Sequence, residues 1–309
     1  MTSATGAPSA SEGAKQDAVA RISAFARKAS FETTRLSEQE LAEVAGVTPP
    51  GSAIYVSAIP SRPLDEQVTT SSMLHGAGYE PVPHLAVRNF FSVTAMEDHL
   101  RKLIDGAGVK RALVIAGDRE QPEGTLSDAL AAIRSGALQR LGITEIGISG
   151  YPDGHPRIAD AALEQALTDK LKAAADAGLG VRIVTQFTMS TDPIVELVTK
   201  LRQRGIDNPV SIGLAGPTSM TTLLRFARIC GVKASTRGLM SNIGLVKNMI
   251  GASTADPIVR ALAELEDKLG NIHPHFFSFG GLPATARWVG AVATGRIKMT
   301  KEGFDVQKA

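Results

Sequence analysis

Short apolar, β-prone runs alternate along this chain with longer stretches whose apolar residues recur every three or four positions. Eight such runs predict strands, at 29–32, 53–58, 83–88, 112–116, 145–149, 181–187, 209–214 and 276–279. Several, Ala112-Leu-Val-Ile-Ala116 above all, are apolar throughout rather than alternating, as parallel strands covered on both faces are. Helical spacing covers 36–45, 95–106, 160–177 and 192–204, the last two closed by Gly178 and Gly205. The stretch 244–269 has room for two helical pieces broken near 251–257. Eight βα units predict a (β/α)8 TIM barrel, with a doubly wound open sheet as runner-up because it alternates in the same way. Ahead of the first strand, Val19, Ile22, Phe25 and Ala26 predict an extra N-terminal amphipathic helix beginning near Lys15. Residues 1–14, rich in Ser, Ala, Gly and Thr, predict a disordered leader, which leaves 15–309 as a single catalytic barrel domain.

Composition then excludes several classes of function. Hydrophobic residues make up 43% and charged residues 21%, enough for a real core in a soluble protein. With 33 basic and 31 acidic residues the formal charge is +2, so neither a general nucleic-acid binder nor a polybasic membrane anchor is expected. No apolar run approaches the ~20 residues a membrane helix needs. The start of the chain lacks a secretory pattern, so cytoplasm is the expected location. A single cysteine, Cys230, rules out an intramolecular disulfide and reads as a small buried hydrophobe on a helix. His273 and His275 have no third ligand nearby, and no metal site is expected.

In a barrel, chemistry gathers at the C-terminal ends of the strands. Glu32 ends the first run, where desolvation should raise its pKa and suit it to general-acid work; a rim charge paired with Arg35 is the alternative. Asp118 follows Gly117, whose missing Cβ permits close approach of a ligand or a loop. Its carboxylate could accept from the paired N–H groups of a pterin, or simply cap a turn. The segment Gly150-Tyr-Pro-Asp-Gly-His-Pro156 is a rigid loop that presents the Tyr151 ring and the His155 imidazole. Gln186 stands at a strand end, where its amide can both donate and accept. Gly280-Gly281, ahead of a helix near Pro283, offers a cradle for a phosphate.

Taken in order, these segments resemble the methylenetetrahydrofolate reductase family. Tyr151-Pro-Asp-Gly-His-Pro156 matches that family's Tyr-Pro-x-x-His-Pro loop. It is preceded by Ser30-Phe31-Glu32, Val56-Ser57, Pro83-His84-Leu85 and Ala116-Gly117-Asp118. It is followed by Asp176-Ala-Gly178, Thr185-Gln186-Phe187, Cys230-Gly231-Val232 and His275-Phe276. The resemblance implies a barrel with FAD along its mouth, NADH or NADPH as electron donor, and a folate substrate. The implied reaction interconverts 5,10-methylenetetrahydrofolate and 5-methyltetrahydrofolate by hydride transfer. By the same resemblance Glu32 matches the acid that protonates the folate, Asp118 the aspartate beside flavin and pterin, and Gln186 the glutamine on the substrate. His84, Gly117, Asp118, Tyr151, His155 and Lys172 match cofactor-binding positions, Lys172 standing in for a family lysine whose place is taken by Ala174. Other departures are Thr33-Thr34-Arg35-Leu36 for Phe-Phe-Pro-Pro, Ile59-Pro60-Ser61 for Thr-Tyr-Gly, Ala116 for the arginine of Arg-Gly-Asp, and Gly280-Gly281 for Asn-Arg. Oligomeric state and the choice of nicotinamide stay open. So do two other readings: a phosphate-binding barrel lyase or isomerase, and a non-catalytic folate-binding protein.

Overall fold

A computed structural model describes residues 10–232 and 254–307. Its strands are β1 (Ser30–Thr33), β2 (Ala53–Val56), β3 (Glu80–Ala86), β4 (Arg111–Ile115), β5 (Glu145–Gly150), β6 (Gly180–Thr185), β7 (Val210–Ala215) and β8 (Ile272–Phe277). All pair in parallel in chain order, and β8 returns to β1 with His275 opposite Ser30 and Phe277 opposite Glu32. The fold is therefore the expected (β/α)8 barrel, and that closure excludes the open sheet. A small antiparallel pair, β9 (Ile297–Met299) and β10 (Phe304–Val306), follows.

Helices α1 (Ala10–Ala26), α2 (Glu38–Ala45), α3 (Leu64–Gly76), α4 (Val93–Ala107), α5 (Ala129–Arg134) and α6 (Ala137–Arg140) lie in the first half. In the second half come α7 (Asp160–Asp176), α8 (Thr191–Gln203), α9 (Met220–Cys230), α10 (Asp256–Leu269) and α11 (Leu282–Ala293). Local chemistry sets their starts. Ser37 and Glu40 form a reciprocal capping box at α2, and Ser92 caps α4. The extra N-terminal helix is α1, which begins at Ala10 rather than near Lys15 and so enters the stretch expected to be a leader. It buries Ile22, Phe25 and Ala26, worth roughly 1.5–3 kcal/mol for each large side chain. Its Ser23 hydroxyl donates to the Val292 carbonyl at 2.9 Å. Of the two pieces expected in 244–269, α10 is one; the stretch up to 253 lies outside the described residues.

Two strands begin earlier than their pattern predicts. The run at 83–88 is β3 from Glu80, and the run at 276–279 is β8 from Ile272. Prolines argue against interior strands because they lack a donor. Here the ladder continues through them, with Pro83 opposite Val56 and Pro274 opposite Ile212. Consequently His84 lies near the C-terminal end of β3 rather than at its start, and His273 and His275 are both inside β8.

Inside the barrel the inward side chains form layers. Tyr55, Val82, Leu113 and Val184 make an apolar centre, separate from the larger core between strands and helices. Beneath it, at the strand starts, Arg111 donates two nitrogens to Glu80 and a third to Glu145 at 3.3 Å, and Arg182 reaches Glu145 at 3.3 Å. Above it, toward the strand ends, stand Glu32, His84 and His275. These two polar layers are called the floor and the mouth below.

Candidate active site

Glu32 is the centre of the mouth. Its carboxylate accepts a hydrogen bond from Ser57 Oγ at 2.6 Å and another from His275 Nε2 at 3.4 Å, and His84 Nε2 lies 3.9 Å away. An ionised carboxylate only accepts, so Nε2 of His275 carries its proton and Nδ1 accepts from the Ser30 hydroxyl at 2.9 Å. Barrel closure makes this possible: β1 contributes Ser30 and Glu32, its neighbour β8 contributes His275, and β2 and β3 bring Ser57 and His84. The Tyr55 ring supports the cluster from below, edge-on to His275 at 4.7 Å. Gln67 of α3 holds two of these strands by donating to the Val56 carbonyl at 2.8 Å and the His84 carbonyl at 3.1 Å.

The expected upward shift of Glu32 is reversed. Burial pushes the carboxyl up, but His84, His275 and the Ser57 hydroxyl together outweigh burial and hold it below the ordinary range. Burial also holds the His84 imidazole down, against the pull of Glu32 and Asp118. The hydrogen bonds from His275 and Ser57 add to the pull of His84 on Glu32. The sequence reading weighed desolvation alone because these partners lie on other strands. Nor is Arg35 a recorded ion-pair partner of Glu32 among the described residues.

Asp118 stands in the loop after β4, exposed, and its charge is felt by His84 and Tyr151. Cys230, at the end of α9, is within electrostatic reach of both Asp118 and Glu32. Burial, with those acids, pushes its thiol up to about 11, which keeps it protonated and inert. Arg88, which the sequence reading did not single out, ties the Asp118 loop down by donating to the Ser127 carbonyl at 2.7 Å and the Arg119 carbonyl at 2.9 Å. Gly117 adopts φ +90, and a Cβ there would come 2.9 Å from Ala86 of β3. The close approach its sequence foretold is made by that strand.

Tyr151 and His155 pack edge to face at 5.2 Å in the loop after β5. Burial, and then Asp118, raise the tyrosine hydroxyl above its usual range despite a bond to Ser149. Gln186 follows β6 and accepts from the Phe187 amide at 3.0 Å, which orients its side chain. Beyond it Phe187, Phe277 and Phe279 form an apolar wall, with ring centroids 5.0–5.9 Å apart. One side of the mouth is thus polar and the other aromatic.

One expectation fails by placement. Lys172 is on the outer face of α7, paired with Asp176 at 2.7 Å. The helix runs back from the mouth, and twelve residues at 1.5 Å each put Lys172 about 18 Å below its start. Gly280 packs its bare Cα against the neighbouring loop, where a Cβ would lie 2.2 Å from the Pro217 carbonyl. Among the described residues no group of His, Cys, Asp and Glu is arranged to hold a metal, and no helix is long and apolar enough to cross a membrane.

Comparison with known proteins follows this geometry. The sequence profile of the family described as Methylenetetrahydrofolate reductase matches residues 54–265. The chain is 27% identical over 194 residues to a 5,10-methylenetetrahydrofolate reductase of Pectobacterium carotovorum subsp. carotovorum, covering 60% of this chain and 62% of that protein. It is 32% identical over 152 residues to Methylenetetrahydrofolate reductase (NADH) 1 of Arabidopsis thaliana, covering 44% of this chain and 25% of that one. The chain thus spans less than two thirds of either relative. Among solved structures, an uncharacterised Clostridium thermocellum protein that binds two copies of 5-methyl-5,6,7,8-tetrahydrofolic acid shares the barrel at TM-score 0.55 and 12% identity, over 91% of this chain and 97% of that one. On the extent of the profile match, joined to the barrel and the order of its mouth residues, the chain belongs to the methylenetetrahydrofolate reductase family.

Proposed function

We propose that this protein interconverts 5,10-methylenetetrahydrofolate and 5-methyltetrahydrofolate by hydride transfer, with Glu32 moving the proton. The observation that carries the proposal is the Glu32 carboxyl, clamped by Ser57 and His275 at the strand ends, the end of the barrel whose loops also carry Asp118. Reduction of the one-carbon unit needs a hydride at carbon and a proton at the nitrogen that leaves it. Glu32 holds that proton. In the open mouth its hydrogen bonds favour the carboxylate; a flat ligand that expels water strengthens the effect of burial and draws a proton on. In the opposite direction the same carboxylate accepts the proton back. Asp118 accepts from the N–H edge of the pterin, Gln186 offers an amide that both donates and accepts, and the phenylalanine wall excludes water.

Family membership points to FAD as the hydride carrier, and the donor set at the mouth fits its ring system. His84 Nε2 is buried with no hydrogen-bond partner among the described residues, and Tyr151 and His155 provide aromatic edges beside Asp118. His84, Gly117, Asp118, Tyr151 and His155 would hold the ring. Once bound, a flavin supplies a reversible two-electron hydride relay between NADH or NADPH and the folate. The pyrophosphate finds less. The loops after β3, β4 and β5 each carry one arginine, and all three already have protein partners: Arg88 on two carbonyls, Arg119 on Asn89 and Glu123, Arg157 near Glu120. FAD should accordingly be lost during gel filtration and restore its visible spectrum when added back. Retention of stoichiometric flavin through that step would contradict this account of the loops.

Separate half-reactions test the role of Glu32. Glu32→Gln should leave reduction of added flavin by the nicotinamide unchanged while slowing the folate half-reaction by about 10²–10⁴-fold. Equal losses in both halves would make Glu32 structural and end the proposal.

A further inference from the structure

We infer that the barrel has a second ligand site at its floor, opposite the mouth, suited to a tetrahedral oxyanion such as inorganic phosphate. A cavity of about 340 Å³ opens there beneath the strand starts. Four cations line it, Arg27, Lys28, Arg111 and Arg182, and no acidic side chain is among its lining residues. The carboxylates that pair with three of these cations, Glu80, Glu145 and Glu266, approach from outside that lining. Ion pairing offsets much of the charge of those three, so the cavity offers an anion a modest positive potential and the N–H donors that the carboxylates leave free.

Two hydroxyls on the same lining add donors that no described protein group takes up. Tyr55 and Ser211 are each 2% exposed, both line the cavity, and neither hydroxyl bonds to a described residue. Burial pushes the Tyr55 hydroxyl up to about 12, so it remains a donor. Arg182 spends Nε on Glu145 at 3.3 Å, and its two terminal nitrogens make no hydrogen bond to a described residue. A guanidinium fork and two hydroxyls converging on one cavity form the donor set that an oxyanion accepts from. His273 does not add to the charge: its Nε2 meets Asn271 Oδ1 at 2.7 Å, and burial brings its pKa down to about 4.

Calorimetric titration of the full chain with inorganic phosphate, in chloride at matched ionic strength, should show saturable binding that 5-methyltetrahydrofolate does not displace. Tyr55→Phe keeps the ring and its packing and should weaken binding about fivefold. Arg182→Gln should weaken it by about tenfold or more. Native affinity in Tyr55→Phe would place the phosphate elsewhere, at the mouth or on the surface, and overturn the site. Heats no larger than those of a chloride control would do the same. Because Arg182→Gln also releases Glu145, its affinity is read beside that of Tyr55→Phe, whose fold is checked by its thermal unfolding.

Discussion

At the floor of the barrel Glu80 and Glu145 pack against Arg111 and Arg182, whereas at the mouth Glu32 packs against His84 and His275. A guanidinium keeps its proton at any pH the fold survives, so the floor is a fixed arrangement of charge. An imidazole, unlike a guanidinium, can both donate and accept a proton, and the mouth can therefore pass one. One strand carries both environments. On β8, His273 faces the floor beside Arg182, while His275, two positions on, is fully buried between Ser30 and Glu32. Neighbours, rather than residue type, divide structure from chemistry here.

Substitutions at the two ends should therefore separate catalysis from stability. The largest contrast is Glu32→Gln against Glu145→Gln: the first should lose about 10²–10⁴-fold of folate turnover, the second none per folded molecule. Comparable losses in both would erase the distinction. Next, Arg111→Met leaves Glu80 without its cation and Glu145 with Arg182 alone. It should cost about 2 kcal/mol in urea unfolding, less than a fully buried pair because Glu80 is partly exposed, with turnover per folded molecule intact. His275→Asn acts the other way. Losing the imidazole lifts the Glu32 carboxyl, so the limb of the pH–rate profile that reports it should move up by roughly one unit. A profile that stays put would remove His275 from the proton path.

Acid sensitivity should show the smallest effect. His99 and His273 are held neutral by burial, with pKa values lowered from 6.5 to about 4. Between those values the unfolded chain binds protons that the folded chain refuses, so stability falls as pH drops through that window. His273→Gln should flatten the slope of unfolding midpoint against pH, and an unchanged slope would show that this floor histidine does not contribute.

Some elements were legible locally and others were not. The run 112–116 announced β4 because both its faces are apolar, and the helical spacing over 36–45 announced α2. β8 was foreshortened because Pro274 interrupts its propensity, and with it went His275 as a partner of Glu32, 243 residues away in sequence. Lys172 matched by motif but not by place, since the pitch of α7 carries it down the outside of the barrel. Ser57 stood in a matched motif and Arg88 at the end of a predicted strand, yet nothing local said that one binds the carboxyl of Glu32 and the other straps the Asp118 loop.

The amino-acid sequence alone determined the eightfold strand–helix rhythm and the order of polar groups at the strand ends, because alternation, caps and rigid loops act over a few residues. Tertiary structure alone decided that Glu32 is held as a carboxylate and that Tyr55 meets a cavity at the opposite end. Both depend on which strands become neighbours, and closure of the barrel sets that at ångström distances no local pattern encodes.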